Sequence, residues 1–197
     1  MCVRFCFLAL MMFVFMGAGV SFAQEAQEPK ERAAYEALMG EISSINDGLD
    51  KDQARHFGLV TSSYMLINTV RSVQADVGKA IVACGTNNAD MKGALDARYS
   101  AWNAAVNPVL SEAKSQVDNM VIVQDYASKD AFDGIFKGVD DTRAETHSGI
   151  ERIPVTTPEA CTYLLNKMDE TQAQMIGILR QNLVSYPASS DPEASEE

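Results

Sequence analysis

Asp140, Asp141, Glu145 and His147 form the most site-like group of metal-ligand side-chain types in the sequence, three carboxylates and one imidazole in a single short stretch. On a helix, Asp141 and Glu145 stand four apart and share a face, with His147 just beyond; hard oxygen donors plus one imidazole suit a divalent cation. Two spacings argue the other way. The stretch lacks the alternating Asp-x-Asp-x-Asp-Gly of a calcium loop, and it lacks the paired Glu-x-x-His of a di-iron bundle. Charged residues in a connector are ordinarily solvated, so the reading names Asp141, Glu145 and His147 as the candidate metal set and predicts no bound cofactor.

A second group has the types for ligand binding. Gln74 lies between Val70 and Val77 on an apolar helical seam, Gln172 lies between Met168 and Met175 on another, and Tyr99 and Trp102 share a stripe one turn apart. Polar seam residues can line a pocket, but more often they set helix register by hydrogen bonding inside the bundle. A Trp on an apolar stripe is ordinarily core. Nucleophilic chemistry has little to work with: there is no Gly-x-Ser-x-Gly, no phosphate-binding glycine loop, no His-Glu-x-x-His and no Cys-x-x-Cys-His. Acid-base work would fall to carboxylates at no position the spacing singles out.

The cysteines depend on the compartment for their meaning. Arg4, the apolar run 5–16 and the small-residue pattern Ser21-Phe22-Ala23 read as a secretory signal peptide over 1–23, with an uncleaved anchor as the alternative. Its removal takes Cys2 and Cys6 and leaves Cys84 and Cys161 in an oxidising compartment, periplasmic or secreted. One disulfide between them is the simplest arithmetic, ahead of two free thiols or a redox-active pair. Closing a loop of about 77 residues is worth up to about 4 kcal/mol in chain entropy.

Length and charge bound the rest. The chain has 197 residues and a formal net charge of −11, enough for one domain and an acidic surface that argues against nucleic acid or anionic lipid as partners. After the signal peptide, 24–29 is a polar leader, 30–186 a helical bundle domain, and 187–197 an acidic tail with the composition of a disordered segment.

These residues must be positioned by helices. A first segment from about Lys30 repeats Ala34, Leu38, Ile42 and Ile45, and stops at Asn46-Asp47-Gly48. A second runs from Asp50 or Asp52 to Cys84 on the seam Val60, Ile67, Val70, Val77 and Ile81, closed by Gly85-Thr86-Asn87-Asn88. A third, about 89–126, carries Leu95, Tyr99, Trp102, Val106, Val109, Ala113, Val117 and Met120, and Pro108 predicts a kink or short break in it. The connector 127–156 holds a short amphipathic pattern, Phe132, Ile135, Phe136 and Val139, weakened by Gly134, Gly138 and Gly149. The last helix starts with Thr157 as N-cap, Pro158 next and Glu159 in the first turn, and runs through Leu164, Met168, Met175, Ile178, Leu179 and Leu183 to Tyr186.

The expected fold is therefore all-α, a four-helix-bundle-like domain with a long, partly helical connection before the last helix. A Cys84–Cys161 bond puts the end of the second helix and the start of the last at one pole, so these two run antiparallel and the connector climbs the bundle. The expected function is non-enzymatic: binding of a protein or cell-envelope component, with Phe132 and Phe136 as exposed apolar candidates and no stable membrane insertion after signal cleavage. Two other classes stay open, a carrier of a small molecule or haem near Gln74, Tyr99, Trp102 and Gln172, and a carboxylate-based enzyme.

Overall fold

Helix caps divide the chain as physical chemistry demands. A computed structural model describes residues 29–148 and 153–184, and in it five helices follow one another: α1 (Pro29–Asn46), α2 (Lys51–Asn87), α3 (Lys92–Val123), α4 (Lys129–Ser148) and α5 (Pro158–Val184). Asp50 caps α2 by accepting from the Asp52 and Gln53 amides at 2.9 Å each, while the Gln53 side chain accepts from the Asp50 amide at 3.1 Å. This reciprocal capping box satisfies donors that have no partner inside the helix. At α5 the Thr157 hydroxyl accepts from the Ala160 amide at 3.3 Å, Pro158 opens the helix and Glu159 sits in its first turn. The signal segment, residues 24–28 of the leader, Gly149 and the acidic tail, with Tyr186, lie outside the described residues, and Pro29 of the expected leader opens α1.

The expected disulfide is present. Cys84 at the end of α2 and Cys161 in the first turn of α5 are bonded, their Cα atoms 5.8 Å apart and both side chains buried. Asn88, the C-cap of α2, reinforces the junction: its amide nitrogen Nδ2 donates to the Cys84 carbonyl at 3.0 Å and to the Thr156 carbonyl at 2.9 Å.

Contacts give the topology. The α2–α3 hairpin is the spine, and α5 packs along α3. Cys84 meets Cys161, and residues 66–73 of α2 face 171–178 of α5, so α2 and α5 are antiparallel as the bond requires. Phe57 meets Phe132, Tyr64 meets Phe136 and Asp76 meets His147, so α4 climbs parallel to α2. α1 then packs antiparallel on α4, with Leu38 against Gly138 and Glu41 against Gly134. Most of the expected stripes are core: Val60, Ile67, Leu95, Trp102, Val106, Val117 and Leu179 are buried, Val77, Tyr99, Leu164 and Met175 are partly so, and Ile178 is exposed.

Three expectations change. The short break that Pro108 allowed is absent, and α3 runs through it as one helix. Pro108 and Ala104 both lie on the exposed face, where water can satisfy the carbonyl that loses its amide donor. α2 runs three residues past Cys84, because Gly85 is buried inside it, at the point where the Lys92 side chain crosses at 3.2 Å from where a Cβ would sit. The glycine-weakened connector is a full helix of 20 residues. Gly134 and Gly138 face α1, and a Cβ on Gly138 would come 2.9 Å from Leu38 Cδ1, so the missing side chains are what let α1 approach.

Candidate functional site

Gln74, Tyr99 and Trp102 do come together, in a seam that is filled. The Gln74 amide donates to the side-chain carbonyls of Asn103 at 2.9 Å and Asn107 at 2.8 Å, and the Tyr99 hydroxyl donates to the Gln74 backbone carbonyl at 2.9 Å. Tyr99 stacks on buried Trp102 with ring centroids 6.3 Å apart, and its hydroxyl lies over Gly78, 2.6 Å from where a Cβ would be. These bonds lock α2 to α3. The buried Trp102 Nε1 has no hydrogen-bond partner among the described residues.

Gln172 belongs to a separate cluster between α3 and α5. Arg98 donates to the Gln172 side-chain oxygen at 3.0 Å and to the Met168 carbonyl at 2.9 Å, and it pairs with Asp169 at 2.6 Å. Guanidinium geometry suits this forked contact, which orients α5 on α3.

The metal candidates are dispersed by the same logic. Asp140 accepts from the Tyr64 hydroxyl at 3.0 Å and from the Asn68 amide at 2.5 Å. Burial, then the hydrogen bond and charge of Asp140, push the Tyr64 phenol up to about 12. Asp141 pairs with Lys137, and His147 Nδ1 lies 3.7 Å from Asp76. Among the described residues no three His, Cys, Asp or Glu side chains gather into a metal-binding set.

Phe132 and Phe136 are not the exposed pair that the sequence suggested. Phe132 is 0% exposed, and Phe136 is half-buried and stacked on Tyr64 with centroids 4.0 Å apart. Both belong to an aromatic cluster with Phe57 and Tyr126 at the foot of the bundle. Their helix turned out to be amphipathic and packed, so apolar residues in it point inward.

The open apolar surface lies elsewhere. A groove of about 220 Å³ runs between α2 and α5, walled by Leu66, Thr69, Val70 and Val73 on one side and Thr171, Gln174, Met175 and Ile178 on the other. Val73 is 38% and Ile178 45% exposed, so the two helices diverge without closing over it. None of the eight wall residues is ionisable, and Gln74, Tyr99, Trp102 and Gln172 are not among them. Arg143 of α4 reaches the Thr69 wall, donating to its hydroxyl. A sequence signal for the groove does exist: Leu59, Leu66 and Val73 recur at sevens beside the seam residues Val60 and Ile67. The apolar sector of α2 is wider than one helix contact needs.

No helix of the described residues is long and apolar enough to cross a membrane. No protein-family model, curated protein or solved structure matches the chain.

Proposed function

We propose that this bundle is a non-enzymatic binding protein that holds the apolar part of a protein or cell-envelope partner against the α2–α5 groove. The observation that carries the reading is the groove itself, an open cleft between two helices whose eight wall residues are all uncharged. Exposed apolar surface arranged along two helices is what a helix or chain of a partner needs to bury. Full burial of an aliphatic side chain is worth about 1.5–3 kcal/mol, and Val73 and Ile178 are already more than half covered, so hiding the rest of both contributes about 1–3 kcal/mol of what a partner gains. The secretory leader, together with cysteines placed for bonding, supports a periplasmic or secreted setting for that partner.

The carrier reading keeps one specific support and loses its first location. The seam around Gln74 and Trp102 is filled, but the groove between α2 and α5 offers a small ligand about the room of a short alkyl chain. Neither histidine lines it, which weighs against haem there.

Site-directed photocrosslinking in cells tests the main reading. A crosslinker at Val73 should give discrete adducts, and one at Val82 should give none. Val82 is 68% exposed and lies nine residues on, half a turn round α2 from Val73. Ile178→Glu should abolish the Val73 adducts. Adducts at Val82 alone, or adducts at Val73 that survive Ile178→Glu, would remove the groove from the account.

A further inference from the structure

Arg143 differs from the other charged residues along α4. Lys137 pairs with Asp141, and His147 faces Asp76, but Arg143 meets no carboxylate among the described residues. It donates instead to two neutral oxygens of α2, from Nε to the Asn68 side-chain carbonyl at 3.3 Å and from a terminal nitrogen to the Thr69 hydroxyl. A guanidinium has five N–H donors, and these contacts use two. The nearest acid in the network, Asp140, is joined to it only through Asn68. Thr69 is a wall of the groove, so a cation that touches no carboxylate among the described residues, and has donors to spare, stands at one edge of an apolar cleft with uncharged walls.

We infer that the groove takes the chain of a free, single-chain carboxylate amphiphile, a medium-chain fatty acid in chemical class, with its head group held at the Thr69 edge by Arg143. Planar carboxylate and planar guanidinium match in a two-pronged contact. Leu66 and Val73 stand seven residues apart, about 10 Å along α2, so the groove suits a medium-length chain, and octanoate is a probe of that class. The net charge of −11 does not forbid an anion at this edge, because at physiological salt charges farther than about 8 Å are largely screened. The inference rests on the groove being a binding surface and adds the chemistry of its occupant.

Methyl NMR on the purified protein tests it, following Leu66, Val70, Val73 and Ile178 during titration with octanoate and, separately, with 1-octanol. Octanoate should bind about tenfold tighter than 1-octanol, the size of one charge-assisted contact, and high salt should shrink the difference. Arg143→Gln should bring the two affinities together while 1-octanol binding stays as it was; Arg143→Lys should keep part of the preference. Equal binding of both probes, or a preference that survives Arg143→Gln, overturns the carboxylate anchor and leaves the groove reading standing. Methyls that respond to neither probe, or protein that sediments with phosphatidylglycerol vesicles yet ignores octanoate, overturn the inference outright, and the crosslinking result then judges the groove by itself. Should Arg143→Gln fail to fold, a wild-type preference that is insensitive to salt has the same overturning force.

Discussion

The two ends of the bundle are held together by different physics. Where α2 ends and α5 begins, a buried disulfide, the Asn88 bridge and the Arg98 fork fix the helices at a few polar or covalent points. Where α2 begins and α4 rises, an aromatic cluster of Phe57, Tyr126, Phe132 and Phe136 interlocks with close glycine packing of α1 on α4. Point attachments fix position without filling all the space between α2 and α5, and the groove opens farther along the same helix pair, at residues 66–73 and 171–178, away from the bond itself. Interlocked rings fill their space instead, with Phe57 and Phe132 fully buried.

Removing the bond should produce the largest effect. Cys84→Ser or Cys161→Ser should each lower the unfolding free energy by about 4 kcal/mol, and the double variant should be no worse than either single one. Hydrogen exchange sharpens the comparison, because the amides of α5 should lose protection well before those of α4. Additive losses, or equal loosening of both ends, would mean that the bond does not act as the local fastening of α5.

Much of this arrangement was legible in the residues alone, for reasons that particular positions show. The seam from Val60 to Ile81 and the stripe from Leu95 to Met120 are buried because 3.6-residue periodicity leaves a helix no other way to hide apolar side chains. Thr157, Pro158 and Glu159 mark a helix start through local chemistry, and Cys84 and Cys161, the two cysteines beyond the N-terminal apolar run, leave one pairing. What stayed hidden was tertiary. Gly134 and Gly138 lower helix propensity locally, and only contact with α1 explains them. Pro108 reads as a break unless one knows that its side of α3 faces water. Phe132 and Phe136 look exposed in a connector until that connector becomes a packed helix. The groove needs the relative rotation of α2 and α5, which the disulfide position alone leaves undetermined; Arg143 at its edge depends on α4 as well.

Glycine replacements probe packing at each end with smaller effects. Alanine favours a helix over glycine by about 1 kcal/mol, so the sign depends on what the new methyl meets. At Gly78 it meets the Tyr99 hydroxyl at 2.6 Å and the ring carbon behind it at 3.1 Å, a rigid group already bonded to Gln74. Gly78→Ala should cost about 1–3 kcal/mol. Gly138→Ala meets the buried Leu38 side chain at 2.9 Å and should cost about 1 kcal/mol net, releasing α1 first. Gly134→Ala meets only the tip of exposed Glu41, which can swing away, so it should be neutral or stabilising by up to about 1 kcal/mol. Urea midpoints for the three variants check the order. A destabilised Gly134→Ala would show that α1 lies tighter on α4 than the contacts indicate.

Acid should distinguish the two ends most gently, through His56. Its ring is buried in the aromatic end of the bundle, Nδ1 shares a hydrogen bond of 2.7 Å with the Tyr126 hydroxyl, and the two rings meet edge to face. Burial holds the His56 pKa below its ordinary 6.5. The unfolded chain therefore takes up a proton at a higher pH than the folded one. By linkage, stability from this group is complete above pH 6.5 and declines as pH falls below it toward the folded value. Urea unfolding of the wild type across this range should show that decline, and His56→Gln should flatten it whatever its effect at neutral pH. Under the same mild acid, exchange should rise first around Tyr126 and the start of α4, while the amides beside Cys84 and Cys161 hold. If the wild type and His56→Gln lose stability in parallel, the acid response belongs to the carboxylates, and the aromatic end is no more proton-sensitive than the disulfide end.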